Sequence, residues 1–149
     1  MKPGPRVRVA GLLVNGGRIL MVRHEKDGRS YWLLPGGGVE DGEQLEDAVR
    51  REFAEECGFA PSAVEGPIAL VETIPPPDAP AGRHILHMIF AIEAGGDARL
   101  VSSDDAVRGH AFVDQRKVHD LDLRPPIHDF LARYRRGDPF VALGRMWTA

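Results

Sequence analysis

The sequence predicts an α/β fold in which a sheet is packed between helices, within one domain spanning 1–149. Three observations carry this reading. Short β-like runs stand on both sides of a single strongly helical stretch that ends at Gly58. A second helical repeat follows Pro125-Pro126 near the end. The 149 residues suffice for a real hydrophobic core, and neither internal repeats nor a linker divides them.

Taken in order, Arg6 to Val14 alternates and is rich in valine and leucine, as a strand requires. Asn15-Gly16-Gly17 is a hairpin turn, and Arg18 to Val22 is the returning strand. His24 to Ser30 reads as a polar loop, followed by a short strand from Tyr31 to Leu34 that Pro35 stops. After the long helix, Val64 to Ile74 is strand-like, with a break or bulge at Gly66-Pro67. The run from Pro75 to Gly82 holds too many prolines for helix or central strand. It is either a stiff surface loop or a loop that shapes a binding pocket. Arg83 to Glu93 is the longest β candidate, ending in a turn at Ala94 to Asp97, and His110 to Val113 is a short strand. Ile127, Phe130, Leu131 and Tyr134 recur at helical spacing, with Pro126 suited to the first turn. Gly137 to Ala149 is too apolar for a free tail and should pack on the core or on a second subunit, as in a homodimer.

Composition excludes several classes of function. Hydrophobic residues are 43% and charged residues 28%, an ordinary globular balance. A net charge of −3 with no basic run argues against nonspecific nucleic-acid binding. The single cysteine rules out an intrachain disulfide and suits a reducing compartment. No apolar run is long enough to span a bilayer, and the first residues have no signal-peptide core. The expected setting is the cytoplasm.

The chemistry concentrates between Gly36 and Phe59. A glycine-rich loop leads into a helix, with Asp41 as the expected N-cap, Gln44 at capping-box spacing and Gly58 as a left-handed C-cap. Leu45, Ala48, Val49 and Phe53 form the apolar stripe. At about 100° per residue, Glu52 and Glu56 project from that same arc and Glu55 from its edge, whereas Asp47, Arg50 and Ala54 face away. Aiming carboxylates inward without a counter-charge is costly, so a cation is expected among them. Clustered oxygen donors suit Mg²⁺ or Mn²⁺. The plain alternative is a solvated acidic face paired with Arg50 and Arg51.

Gly37, five residues, Glu43, seven residues, then Arg51-Glu52-Phe53-Ala54-Glu55-Glu56-Cys57-Gly58-Phe59 resembles the Nudix box of the Nudix hydrolases. Every specified position is matched, over roughly a sixth of the chain. The resemblance implies an α/β/α sandwich with a mixed sheet. It implies that Glu52, Glu55, Glu56 and the Gly37 carbonyl bind metal, and that Arg51 and Glu43 pair to join loop and helix. It further implies hydrolysis of a nucleoside diphosphate linked to another group, by attack of water at phosphorus. Cys57 falls at an unspecified position and reads as small and structural.

The general base stays open between Glu55, Glu56 and a loop acid, Asp104 or Asp105, which also read as a solvated turn. Arg23 and Arg83 are candidates for phosphate oxygens or for surface ion pairs. Trp32 either stacks on a base or fills the core. His84 and His87, three apart on a strand, face opposite sides and do not form a paired metal site. In the ADP-ribose pyrophosphatase branch a proline follows the box by fifteen or sixteen residues, and Pro75 meets that rule. ADP-ribose or a similar nucleotide sugar is therefore the favoured substrate. The alternatives are an oxidised nucleoside triphosphate, or a Nudix-fold sensor that binds nucleotide sugars without cleaving them.

Overall fold

A computed structural model describes residues 4–79, 82–95 and 107–147. Its strands are β1 (Arg6–Asn15), β2 (Arg18–Lys26), β3 (Arg29–Leu33), β4 (Gly36–Gly38), β5 (Ala63–Thr73), β6 (Ile85–Glu93), β7 (Val107–Asp114) and β8 (Val141–Met146). Two α-helices accompany them, α1 (Leu45–Cys57) and α2 (His128–Arg133), with a 3₁₀ turn at Gln115–Asp120. The sheet is mixed. β1 pairs in parallel with β6 and antiparallel with β4, β5 runs antiparallel to β6, and β8 adds in parallel beside β5. β2 carries β3 and β7 on its two sides and meets β1 only at the hairpin, through Val14↔Ile19 and Asn15↔Arg18. The two groups of strands therefore splay apart from that hinge.

Alternation along β2 shows how the layers form. Leu20 and Val22 join Val49, Phe53 and Phe90 in a core under α1. Ile19 and Met21 join Val118, Leu123, Ile127 and Leu131 in a second core under the 3₁₀ turn and α2. All four β2 side chains are fully buried, as expected for a strand covered on both faces. The result is the α/β/α sandwich.

Several sequence expectations change. Helix α1 starts at Leu45, with Gln44 at the N-cap position and no side-chain cap. The cause lies in residues 40–43: the Glu40 N–H donates to the Glu43 carboxylate and the Glu43 N–H to the Glu40 carbonyl. That loop, turned by Gly42 at φ 79°, takes the place of the capping box expected at Asp41. Gly58 does cap the C-terminus at φ 78°, donating to the Phe53 and Ala54 carbonyls. The polar loop expected over 24–30 is instead a continuation of the sheet. Asp27 (φ 54°) and Gly28 (φ 75°) form a two-residue turn, and both central residues have the positive φ that matches strand twist. The β7 strand begins at Val107, earlier than expected, and α2 begins only at His128. In the C-terminal stretch, Leu143 and Met146 pack against the α2-side core, while Phe140, Val141 and Trp147 remain exposed.

Candidate active site

The α1 stripe places its carboxylates as the spacing predicts. Ala48, Val49 and Phe53 are fully buried, Glu52 is 7% exposed and Glu56 only 1%. Both acids are held from β4. The Gly36 N–H donates to Glu56 Oε1 at 2.6 Å. A side chain at Gly37 would overlap the Glu52 carboxylate, and one at Gly36 would overlap the β1 backbone at Val9. The glycine run therefore exists so that strand and acids can approach.

Arg51 ties the loop to the helix. Its Nε and Nη2 donate to the two oxygens of Glu43 at 2.8 and 2.9 Å, a bidentate fork. Nη1 donates to Glu52 at 2.9 Å and Nη2 also to the Gly38 carbonyl at 2.9 Å. Glu55 approaches the same guanidinium at 3.5 Å with its side chain half-exposed. The Arg51 fork, with the Glu40 N–H second, pushes the Glu43 carboxyl down to about 2. Glu52 moves the other way. Burial raises its pKa, Arg51 opposes this, and the charges of Glu56 and Glu55 raise it further.

The far end of the helix is anchored by His110, whose Nε2–H donates to the Glu56 carbonyl at 2.6 Å. His24 on β2 stands 3.5 Å from Glu56 Oε2, too far for a good hydrogen bond, and its buried Nε2 has no hydrogen-bond partner among the described residues. Cys57 is buried, and its thiol is pushed up to about 12 by burial and by Glu56. That matches a structural role.

Beside the helix, where the two strand groups splay, lies a cleft of about 230 Å³. Arg8, Lys26 and Arg124 give it three cationic groups, and Tyr31 and Trp147 give it aromatic walls. Arg8 links cleft and helix. Burial lowers its pKa, Glu56 and Glu52 oppose that, and a guanidinium remains charged regardless. His87 pairs with Arg8 across β1 and β6, and its Nε2 lies 3.0 Å from Thr73 Oγ1.

Burial, with Arg8 second, holds His87 down to about 4 from 6.5. The unfolded chain therefore takes up a proton near 6.5 and the native state only near 4. Native stability falls as pH drops through that window, by at most about 3 kcal/mol from this group. Urea unfolding of His87→Gln at pH 7, 5 and 4 should show a flatter loss than the parent. An unchanged slope would place the acid sensitivity elsewhere.

Other sequence candidates lie outside this arrangement. Arg23 pairs with Glu25 at 3.0 Å and donates to the Arg108 carbonyl at 2.9 Å. Arg83 is exposed just before β6. Neither lines the cleft. Pro75 and Trp147 both stand close to Gly82, where any side chain would meet them. Trp32 is partly buried against the α2-side core. Asp104 and Asp105 lie outside the described residues. Arg8, His24, Lys26, Tyr31, Arg124 and Trp147 are the groups sequence reasoning passed over.

The donor set around α1 is all oxygen, which fits a hard divalent cation. Among the described residues no three carboxylate, imidazole or thiol groups already meet at one point. Glu52 is drawn to Arg51 and Glu56 to Gly36, so a cation would compete with both.

A helix of inward carboxylates fixed to a glycine strand by arginine, beside a cationic cleft in an α/β/α sandwich, defines a hydrolase of phosphate anhydrides. The chain belongs to the Nudix hydrolase family, whose NUDIX domain model matches residues 2–134. It is 31% identical over 136 residues to an ADP-ribose pyrophosphatase of Methanocaldococcus jannaschii, covering 89% of this chain and 76% of that protein. Nucleoside triphosphatase NudI of Escherichia fergusonii is 45% identical over only 56 residues, 36% of this chain and 40% of that protein. A MutT NUDIX hydrolase from Burkholderia pseudomallei superposes with a TM-score of 0.64 at 31% identity, covering 76% of this chain and 85% of that one. Family members act on small nucleotide substrates with divalent metals. No helix among the described residues is long and apolar enough to cross a membrane.

Proposed function

We propose that this enzyme hydrolyses the diphosphate bond of ADP-ribose or a similar nucleotide sugar, using Mg²⁺ or Mn²⁺. The observation that carries the reading is the cationic cleft beside the carboxylate helix, joined to it at His24, which lines the cleft and stands 3.5 Å from Glu56 Oε2. The relative whose match spans most of both chains, an ADP-ribose pyrophosphatase, supports the substrate. The triphosphatase relatives match over a much shorter stretch.

Glu52 and Glu56 are the groups to hold the cation, with the Gly37 carbonyl beside them. When bound, the cation neutralises phosphate charge and makes an attacking water more acidic. Glu55 is the more open carboxylate and would accept the proton of that water; Asp104 or Asp105 is the alternative base. Arg8 holds a phosphate oxygen from the cleft side. Arg51 keeps Glu52 and the loop in place. The water oxygen bonds to phosphorus, the bridging P–O bond breaks, and AMP and ribose 5-phosphate leave. The buried free thiol of Cys57 suits a reducing cytoplasm.

The test is product release from a panel of nucleotide derivatives with Mg²⁺, Mn²⁺, Ca²⁺ or excess chelator. ADP-ribose should be cleaved with Mg²⁺ or Mn²⁺, and poorly with Ca²⁺, whose looser coordination fits the geometry less well. Full turnover in chelator would overturn the mechanism. Nucleotide binding without turnover on any panel member would favour a sensor.

A further inference from the structure

We infer that the cleft is a nucleobase subsite in which Trp147 stacks on the base of the nucleotide. The inference deepens the function proposed above and rests on it only for the phosphate end.

Size and lining come first. The cleft, about 230 Å³, is below the roughly 300–1,000 Å³ of pockets that enclose a whole ligand. It has room for one half of the substrate, and the rest must extend over the carboxylate helix. Arg8, Lys26 and Arg124 favour phosphate, and the aromatic walls favour a planar group. Among small molecules these two demands meet in a nucleotide.

Two aromatic residues, Tyr31 and Trp147, line the cleft and could supply the stacking face. Tyr31 has the Arg124 guanidinium 4.4 Å above its ring and His24 at 5.9 Å. Trp147 remains, lining the cleft with 37% of its surface exposed. An open indole at a cleft is apolar area available for burial.

Its position follows from strand pairing. Thr73 on β5 pairs with Met146 on β8, and the Ile74 N–H donates to the Met146 carbonyl at 3.3 Å. The next residue, Trp147, is thereby brought beside the Thr73–His87 pair. Gly82 lies so close to both Pro75 and Trp147 that any side chain there would press on their rings.

Calorimetric titration of AMP and of inorganic pyrophosphate, each with Mg²⁺, into the parent, Trp147→Ala and Trp147→Phe tests the inference. Loss of the stacking face should weaken AMP binding by roughly tenfold or more in Trp147→Ala. Trp147→Phe should stay within about threefold of the parent, and pyrophosphate should bind all three alike. Melting temperatures confirm that the variants fold, and the phenylalanine variant keeps the test valid should the alanine variant be unstable. The inference is overturned by a parent that does not bind AMP, or by equal AMP affinity in parent and Trp147→Ala. It also falls if Trp147→Phe is as weak as Trp147→Ala, or if pyrophosphate weakens in parallel with AMP. Trp147-dependent AMP binding without hydrolysis of any panel member would leave the inference standing and remove the proposed hydrolase function instead.

Discussion

Replacing Glu56 by glutamine lowers kcat by about 10²–10³-fold while leaving the fold in place. Glutamine keeps the shape, and its side-chain oxygen can still accept the Gly36 N–H that Glu56 Oε1 accepts at 2.6 Å. What disappears is one buried negative charge. In chelator, two consequences oppose each other. Glu52, whose pKa is raised by burial and by Glu56, is relieved, whereas Arg8 loses its main counter-charge. The metal-free variant should therefore melt within a few degrees of the parent. Metal separates the two proteins. At a concentration 100 times the parent's Kd, binding stabilises the native state by about 2.7 kcal/mol. A variant with 100-fold weaker affinity gains only about 0.4 kcal/mol under the same conditions. Paired melts with and without Mg²⁺, beside one activity assay, read both effects. Parent-like kcat, or an equal rise in melting temperature with Mg²⁺, would show that Glu56 is not a metal ligand.

The parts of this site that could be read from the sequence are those set by local spacing. Helical periodicity alone puts Glu52 and Glu56 on the face of Val49 and Phe53, and Gly58 at the left-handed cap. The Glu43–Arg51 pair came with the family resemblance, and its geometry is bidentate. The N-terminal cap was misread because Glu40 and Glu43 bond to each other, and Glu43 also turns back to an arginine two helical turns later. The hairpin at Asp27-Gly28 was misread because its flanking residues, from Glu25 to Arg29, are exposed and polar on both faces, leaving no alternation to detect. The Asp-Gly pair was the usable signal. The cleft is a different case. Arg8 meets His87 through parallel pairing of β1 with β6, and Trp147 arrives through parallel pairing of β8 with β5. Contacts between strands so far apart in the chain leave no local pattern to read.

Arg51→Ala should damage stability and catalysis together, because one guanidinium holds three partners. It removes the fork to Glu43, the bond to Glu52 and the bond to the Gly38 carbonyl. Two partly buried carboxylates then lack their counter-charge, which destabilises the native state by roughly 3 kcal/mol. Glu52 loses its brace, so kcat should fall even at saturating substrate. Lysine is no substitute, since an ammonium cannot form the fork and reach Glu52 and Gly38 as well. The pH dependence gives an independent signature. Arg51 is the main cause of the Glu43 pKa lying near 2 instead of 4.5. A depressed carboxylate contributes stability above its unfolded pKa, and that contribution is lost as pH falls from about 4.5 towards 2. In Arg51→Ala this acid-sensitive component should shrink to what the Glu40 N–H alone supplies, so the stability gap between parent and variant narrows with acid. Urea unfolding of the parent, Arg51→Ala and Arg51→Lys at pH 7 and pH 3, with kcat and KM for each, measures all of this. A loss below about 1 kcal/mol at pH 7, a gap that does not narrow at pH 3, or a lysine variant with parent-like stability and rate would show that Arg51 does not brace the site.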